Sequence, residues 1–278
     1  MKWLESQDTL HKIMKKYTVI TGASSGLGRA FAIAFAKRGH HLVLVALPNE
    51  NLSEFTTDLH KAYGINVEYF EADLSNFSMI ESFANWLKNN EISIDILVNN
   101  AGIGGSKSFQ ESDTEQLDRI IQVNVKGTAI LTRSLLLFLL QNTDSYILNI
   151  ASIAAFSPLP YKMVYPATKA FIYSFSLSLG SELRDKGVKV CVVNPGAMPT
   201  NEDIRRRIKT QGWLGRISIT STEYVAEKAI EGAFSGKTIV VPGLVNWLNY
   251  WIFKLVPWYF IEPLVSRTIR RELFVSAS

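Results

Sequence analysis

Seven short apolar runs, set apart by stretches of helical periodicity, limit what this chain can become more than anything else in it. The runs occupy residues 17–21, 41–46, 66–70, 94–99, 145–150, 188–193 and 238–241. Helical patterns fall between them, near 27–38, 50–63, 77–90, 113–140, 161–186 and 222–234. Strand and helix in alternation predict an α/β fold, a doubly wound parallel sheet of about seven strands with helices on both faces. Runs such as Leu42-Val43-Leu44-Val45 are apolar at successive positions, as a strand covered on both sides requires. Crossovers in such sheets are right-handed, and ligands lie beyond the carboxyl ends of the strands at the switch point. No repeat, linker or low-complexity segment interrupts the pattern, so residues 16–243 read as one domain. Residues 1–15 form an N-terminal extension and 244–278 an apolar, aromatic C-terminal one.

Bulk properties exclude several classes. At 278 residues the chain is well above the size where core burial becomes marginal. A formal charge of +4 with dispersed basic residues gives no footprint for nucleic acid. The single cysteine, Cys191, lies in an apolar run and forbids an intrachain disulfide, which fits a reducing compartment and a cytoplasmic protein. Residues 1–16 are mixed and charged, without the apolar stretch of a signal peptide. His11, His40, His41 and His60 are scattered, so no metal cluster or histidine-based triad is expected.

The turn after the first strand is more specific. Thr21-Gly22-Ala23-Ser24-Ser25-Gly26-Leu27-Gly28 leads from strand to helix. Glycines there permit a tight turn, close approach of backbone to a pyrophosphate, and close packing of helix on strand. The helix N-terminus then offers free N–H groups and partial positive charge to phosphates. The spacing differs from G-x-G-x-x-G, and an ordinary glycine-rich turn would look the same in isolation.

Three further segments narrow the reading: Asn99-Asn100-Ala101-Gly102, Tyr165-x-x-x-Lys169 and Pro195-Gly196. With the glycine turn, in this order, the chain resembles the short-chain dehydrogenase/reductase family over about residues 16–243. The resemblance implies a Rossmann-type fold, an oxidoreductase, and a nicotinamide dinucleotide held by Gly22, Ser24, Ser25, Gly26, Leu27 and Gly28. It further implies Asp73 on the adenine amino group, Asn100, Ala101 and Gly102 around the adenosine, and Pro195, Gly196 and Thr200 at the nicotinamide end. Family members that favour NAD carry an Asp at the end of the second strand, and those that favour NADP carry basic residues there or before the second glycine. This chain has Ala46-Leu47-Pro48-Asn49 and Ser25 at those places, so it has neither. Without a repelling carboxylate the expectation leans to NADP(H), with NAD(H) open; Arg29, Arg38, His40 and Asn49 are candidate neighbours.

Lys169 follows Tyr165 by four positions, which on a helix puts both side chains on one face. A free phenol titrates near ~10, so activation near neutrality needs a shift of about 3 units, roughly 4 kcal/mol. An adjacent ammonium and a cationic nicotinamide both favour the phenolate. Pro166 is tolerable in the first turn of a helix, where its missing N–H has no partner to lose. Ser152 lies just beyond the fifth strand, within reach of a substrate oxygen. By resemblance Tyr165 is the general acid/base, Ser152 holds the substrate oxygen, Lys169 also binds the nicotinamide ribose, and Asn124 anchors a water in the proton relay. Singly, each has a plainer reading: a chance Tyr-x-x-x-Lys, a serine cap, a helix-surface asparagine. Tyr161, Tyr173 and Ser157 are nearby decoys.

Beyond Thr200, Arg205 to Lys209 would meet an anionic substrate group or form a solvated helix face. The run from Leu244 to Val265 is apolar and rich in tryptophan, but Lys254, Pro257, Glu262 and Pro263 break it too often for a membrane span. It would pack on its own domain, close an apolar pocket, join subunits of a homo-oligomer, or touch a membrane peripherally with Arg267, Arg270 and Arg271 on anionic lipid. The sequence therefore points to interconversion of a ketone and a secondary alcohol on a small, apolar, lipid-like substrate. The alternatives are a sugar or small-metabolite dehydrogenase on the same scaffold and a non-catalytic dinucleotide-binding regulator.

Overall fold

A computed structural model describes residues 15–105, 107–199, 218–263 and 265–267. Thr200, the basic stretch 205–209, His11, Arg270 and Arg271 lie outside the described residues. Seven parallel strands form one sheet: β1 (Lys16–Thr21), β2 (His41–Ala46), β3 (Val67–Glu71), β4 (Ser93–Asn99), β5 (Ser145–Ile150), β6 (Val188–Val193) and β7 (Ile239–Val240). Their spatial order is β3-β2-β1-β4-β5-β6-β7. The chain winds outward from β1 in one direction to β3, then returns to β4 on the other side of β1. The crevice at that reversal lies over the carboxyl ends of β1 and β4.

Alternation of side chains explains why the strands are apolar throughout. On β1, Ile20 joins one helical layer while Tyr17 and Val19 join the other. On β2, Leu42, Leu44 and Ala46 face the first layer and Val43 and Val45 the second. The first layer is built by α1 (Gly26–Ala36), α2 (Leu52–Tyr63) and α7 (Thr222–Phe234), through Phe31, Phe35, Phe55, Leu59, Val225 and Ile230. The second uses α3 (Phe77–Asn89) and α5 (Thr128–Leu140), through Ile80, Phe83, Leu87, Leu131, Leu135 and Leu139. The helical run Thr114–Leu140 is long and apolar enough to cross a membrane by length and composition alone. Here Leu131, Leu135 and Leu139 are buried against the sheet, as in the core helix of a globular domain, while Leu137 is exposed.

Two helices differ from the sequence expectation in ways that matter for the site. The pattern over 113–140 predicts one continuous helix, but α4 (Thr114–Ile121) and α5 are joined by a π-helical turn, Gln122–Gly127. A Cβ on Gly127 would lie 2.8 Å from the Leu74 carbonyl oxygen, so only glycine lets this turn rest on the loop after β3. The long helix expected from Tyr161 begins instead at Val164, since Tyr161 holds a left-handed φ of 65°. It runs as α6 (Val164–Leu183) and tightens to a 3-10 turn at Arg184–Lys186 before Gly187 at φ 74°. The later start puts Pro166 inside the first turn, where it breaks no backbone bond. α2 likewise begins at Leu52 rather than residue 50, because Asn51 is left-handed at φ 57°.

Residues 244–255 do not trail away from the domain. α8 (Leu244–Leu255) packs one face on it, burying Asn246 and Tyr250. The Tyr250 ring meets Phe156 edge-on at 4.8 Å, and its hydroxyl lies 3.3 Å from that of Tyr173. The opposite face leaves Leu244, Trp247, Leu248, Trp251, Ile252 and Leu255 exposed, at helical spacing.

Candidate active site

At the glycine turn the sequence reading and the geometry coincide. Gly22 takes a φ of 62° and Gly26 one of 51°, both left-handed. A Cβ on Gly28 would sit 1.9 Å from the Gly22 carbonyl oxygen, so α1 starts this close to β1 only because position 28 has no side chain. Gly28 thus acts by packing, behind the cavity surface rather than on it. No acidic residue occupies the first turn of α1 itself. The exit of β4 is tied to the same turn. Thr21 Oγ1 accepts from the N–H groups of Asn100 and Ala101, both at 3.0 Å, and donates to the Val98 carbonyl at 3.2 Å. Asn100 Nδ2 donates to the Thr21 carbonyl at 2.8 Å.

A cavity of about 840 Å³ opens over these strand ends. Gly22, Ser24, Ser25, Gly26, Leu27, Asp73, Asn100, Ala101 and Gly102 line one end, and Ser152, Tyr165, Lys169, Pro195 and Gly196 the other. Every sequence-derived site residue within the described set lines it except Gly28 and Asn124. Asn124 is fully buried rather than a helix-surface residue. The π turn aims its amide inward, where Oδ1 accepts from Ile103 N at 2.9 Å and Nδ2 donates to Ile103 O at 2.9 Å and Thr168 Oγ1 at 3.0 Å. It braces the loop after β4 against α6 from behind.

Tyr165 and Lys169 share a face of α6, as the four-residue spacing predicts. The Lys169 ammonium is buried, donates to the Ile150 carbonyl at 2.8 Å, and stands 5.7 Å from the Tyr165 ring centre. A Cβ on Gly102 would come within 3.2 Å of that nitrogen, so glycine there leaves the ammonium its room. Burial pulls Lys169 down to about 8. Burial pushes the Tyr165 phenol above its usual value, while a hydrogen bond with Ser152 works the other way. Burial is the larger of the two effects, so within the protein alone the phenol stands above its ordinary value. Ser152 also caps a 3-10 turn, its Oγ accepting from Ala154 N at 3.1 Å, so the cap and the contact with Tyr165 coexist.

Asp73 lies in a network of its own. Burial pushes its carboxyl up, but two hydrogen bonds from Ser75 and the Arg119 guanidinium at 3.1 Å together hold it below the ordinary range. The candidates near the nucleotide's ribose are mostly engaged elsewhere. Arg38 pairs with Glu227, Arg29 lies over the Phe55 ring at 3.8 Å, and His40 packs between Phe35 and Phe234. Asn49 donates its backbone N–H to Glu71. Besides Asp73, a second carboxylate reaches the cavity: Glu50, which accepts from Ser24 Oγ at 2.5 Å. Sequence reasoning missed it because it stands four residues past the strand and returns only through left-handed residues at 49 and 51. It also missed Asn246, Asn249 and Phe253, the inner face of α8, which line the cavity near Gly196. Asn246 Nδ2 donates to the carbonyls of Ser218 and Pro242, both at 3.0 Å, fastening α8 over the site.

A family model for short chain dehydrogenases matches residues 16–211. An uncharacterized oxidoreductase of Staphylococcus epidermidis is 35% identical over 189 residues, covering 68% of this chain and 80% of its own. A short-chain dehydrogenase from Sphingobium yanoikuyae, solved with NADPH, superposes with a TM-score of 0.74 at 31% identity, covering 82% of this chain and 88% of that one. A 3-ketoacyl-(acyl-carrier-protein) reductase from Brucella melitensis, solved with NADH, gives 0.69 at 29% identity, covering 82% and 96%. The chain belongs to the short-chain dehydrogenase family. It is an NAD(P)-dependent oxidoreductase acting on CH–OH groups, and its cofactor is a nicotinamide dinucleotide.

Proposed function

We propose that the protein reduces an apolar ketone to a secondary alcohol, with Tyr165 as general acid and the reverse reaction using it as base. The observation that carries this is that Ser152, Tyr165 and Lys169 line one cavity together with the glycine turn, Lys169 standing 5.7 Å from the Tyr165 ring centre. The glycine cradle, the N-terminus of α1 and a cavity of about 840 Å³ fit a dinucleotide laid across the switch point. The bound cofactor supplies the hydride and, when oxidised, a positive charge beside the phenol.

The residues supply position and proton traffic. Ser152, oriented by Ala154 N–H, donates to the substrate oxygen and fixes it against the phenol. A phenol held above its usual value stays protonated at neutral pH and is ready to donate in the reductive direction. Oxidation needs that proton gone first, so its rate should climb with pH while reduction changes little below pH 8. Lys169 ties α6 to the end of β5 through the Ile150 carbonyl, and Asn124 braces the loop after β4 against α6. Thr200 remains assigned to the nicotinamide end by resemblance alone. Apolar preference rests on Met198 and Phe253 in the cavity wall; Asn249 and Ser157 beside them would favour a sugar, which is the second reading. Cys191, buried in the core, suits a reducing cytoplasm. A second copy of the chain on the exposed face of α8 is the preferred use of that surface, with a membrane as the rival.

Replacing Tyr165 with Phe tests the assignment. Turnover should fall by about 10²–10⁴-fold, the range of general acid–base catalysis, with dinucleotide affinity kept within about twofold. A ketone panel graded by chain length then separates the two substrate classes. Equal rates on sugars and long ketones remove the apolar preference. Ultracentrifugation with and without liposomes decides the use of α8.

A further inference from the structure

Resting on the reading above, we infer that Glu50 makes the protein selective for the dinucleotide without a 2′-phosphate, NAD(H), against the expectation drawn from the strand end alone. The missing carboxylate at the end of β2 is replaced by one delivered from the loop. Four observations converge on it. Glu50 lines the same end of the cavity as Ser24, Ser25, Ala46 and Asp73. Its carboxylate is held at 2.5 Å by the hydroxyl of Ser24, inside the glycine turn itself. The loop that carries it is bent back by left-handed Asn49 and Asn51 on either side, and Asn49 is tied to Glu71 at the end of β3. Among the described residues, the guanidiniums of Arg38 and Arg119 are already paired with carboxylates, Glu227 and Asp73, and that of Arg29 lies over the Phe55 ring.

A dinucleotide whose pyrophosphate lies on α1 must run its adenosine toward β2, past Ser24 and Glu50. Ribose hydroxyls there can donate to the Glu50 carboxylate. A 2′-phosphate cannot: it brings about two negative charges against a carboxylate within a few ångströms. Like charges at that separation disfavour binding by about tenfold or more in a solvated site. Salt weakens the effect, since the carboxylate is exposed.

The test is direct binding, measured by calorimetry with NADH, NADPH, and the fragments adenosine 5′-monophosphate and adenosine 2′,5′-bisphosphate. The wild type should bind NADH at least about tenfold more tightly than NADPH, with the fragments ranked alike and the gap narrowing at high salt. Glu50→Gln should bring the two dinucleotides to within about threefold, chiefly by tightening NADPH, and Glu50→Arg should reverse the order. Because Glu50 is a surface loop residue, both variants should melt within about 2 °C of the wild type. NADPH bound as tightly as NADH by the wild type, or a ratio indifferent to both substitutions, overturns the inference and leaves the oxidoreductase reading standing. Failure of every nucleotide to bind overturns that reading instead.

Discussion

The two ends of the cavity are made by different means. The nucleotide end is backbone: a turn between β1 and α1 whose shape depends on side chains being absent at Gly22 and Gly28. The chemical end is side chain: a phenol, an ammonium and a hydroxyl drawn from α6 and the exit of β5, roofed by α8. Backbone sites tolerate no added atoms, while side-chain sites tolerate altered atoms at the expense of function. Substitutions of the glycines at the first end should therefore break fold and ligand binding together, and those at the second should separate activity from stability.

Gly28→Val should have the largest effect. With a Cβ directed 1.9 Å from the Gly22 carbonyl, α1 must move off β1. Stability should drop by about 3 kcal/mol or more, as for other backbone collisions in a core, and dinucleotide binding should vanish. A variant that melts like the wild type and still binds would end the distinction between the two regions.

Lys169→Met sharpens it from the other side. Turnover should fall by about 10²-fold or more. Stability, however, should rise at neutral pH. The ammonium falls from 10.5 to about 8 on folding, so holding it protonated below pH 8 opposes folding by about 3 kcal/mol. Losing the bond to the Ile150 carbonyl returns about 1–2 kcal/mol of that. The sign follows from proton counting: between about pH 8 and 10.5 the unfolded chain binds the proton and the folded one does not, so wild-type stability rises with pH there. Denaturant titrations at pH 7 and 9 should show that rise in the wild type and its absence in the variant.

Asn246→Ala loosens the roof alone. Two hydrogen bonds to Ser218 and Pro242 are lost, worth about 1–2 kcal/mol together. KM for the ketone should rise several-fold while NADH affinity stays put. Smallest of all, Trp247→Ser on the outer face of α8 should change monomer stability by under about 0.5 kcal/mol and leave KM alone. A larger change in sedimentation than in either quantity would mark that face as an interface.

How far the sequence could be read follows the same division. The sheet was legible because buried parallel strands must be apolar at consecutive positions, as Leu42 to Val45 are. The glycine turn was legible because its residues are contiguous. Tyr165 and Lys169 were legible because one helical turn separates them. Asn124 was found by resemblance, but the turn that buries it was not, since helical periodicity does not distinguish α from π winding. The effect of burial on the phenol was not legible, because proximity to a cation is visible in a spacing and desolvation is not. Glu50 and the inner face of α8 reach the cavity through tertiary folding alone. No local pattern announces a loop bent back by two asparagines, or a helix held down by one buried amide.

The π turn between α4 and α5 has a further consequence. A six-residue widening places one surplus residue in an otherwise regular helix, and each residue of an α-helix turns it by ~100°. Deleting one residue there would restore regular winding and swing α4 by about a quarter-turn relative to the leucines of α5. Arg119 would rotate out of reach of Asp73, and Asn124 would lose its aim. A single codon's worth of chain thus sets the phase between a helix that serves the cavity and one that serves the core.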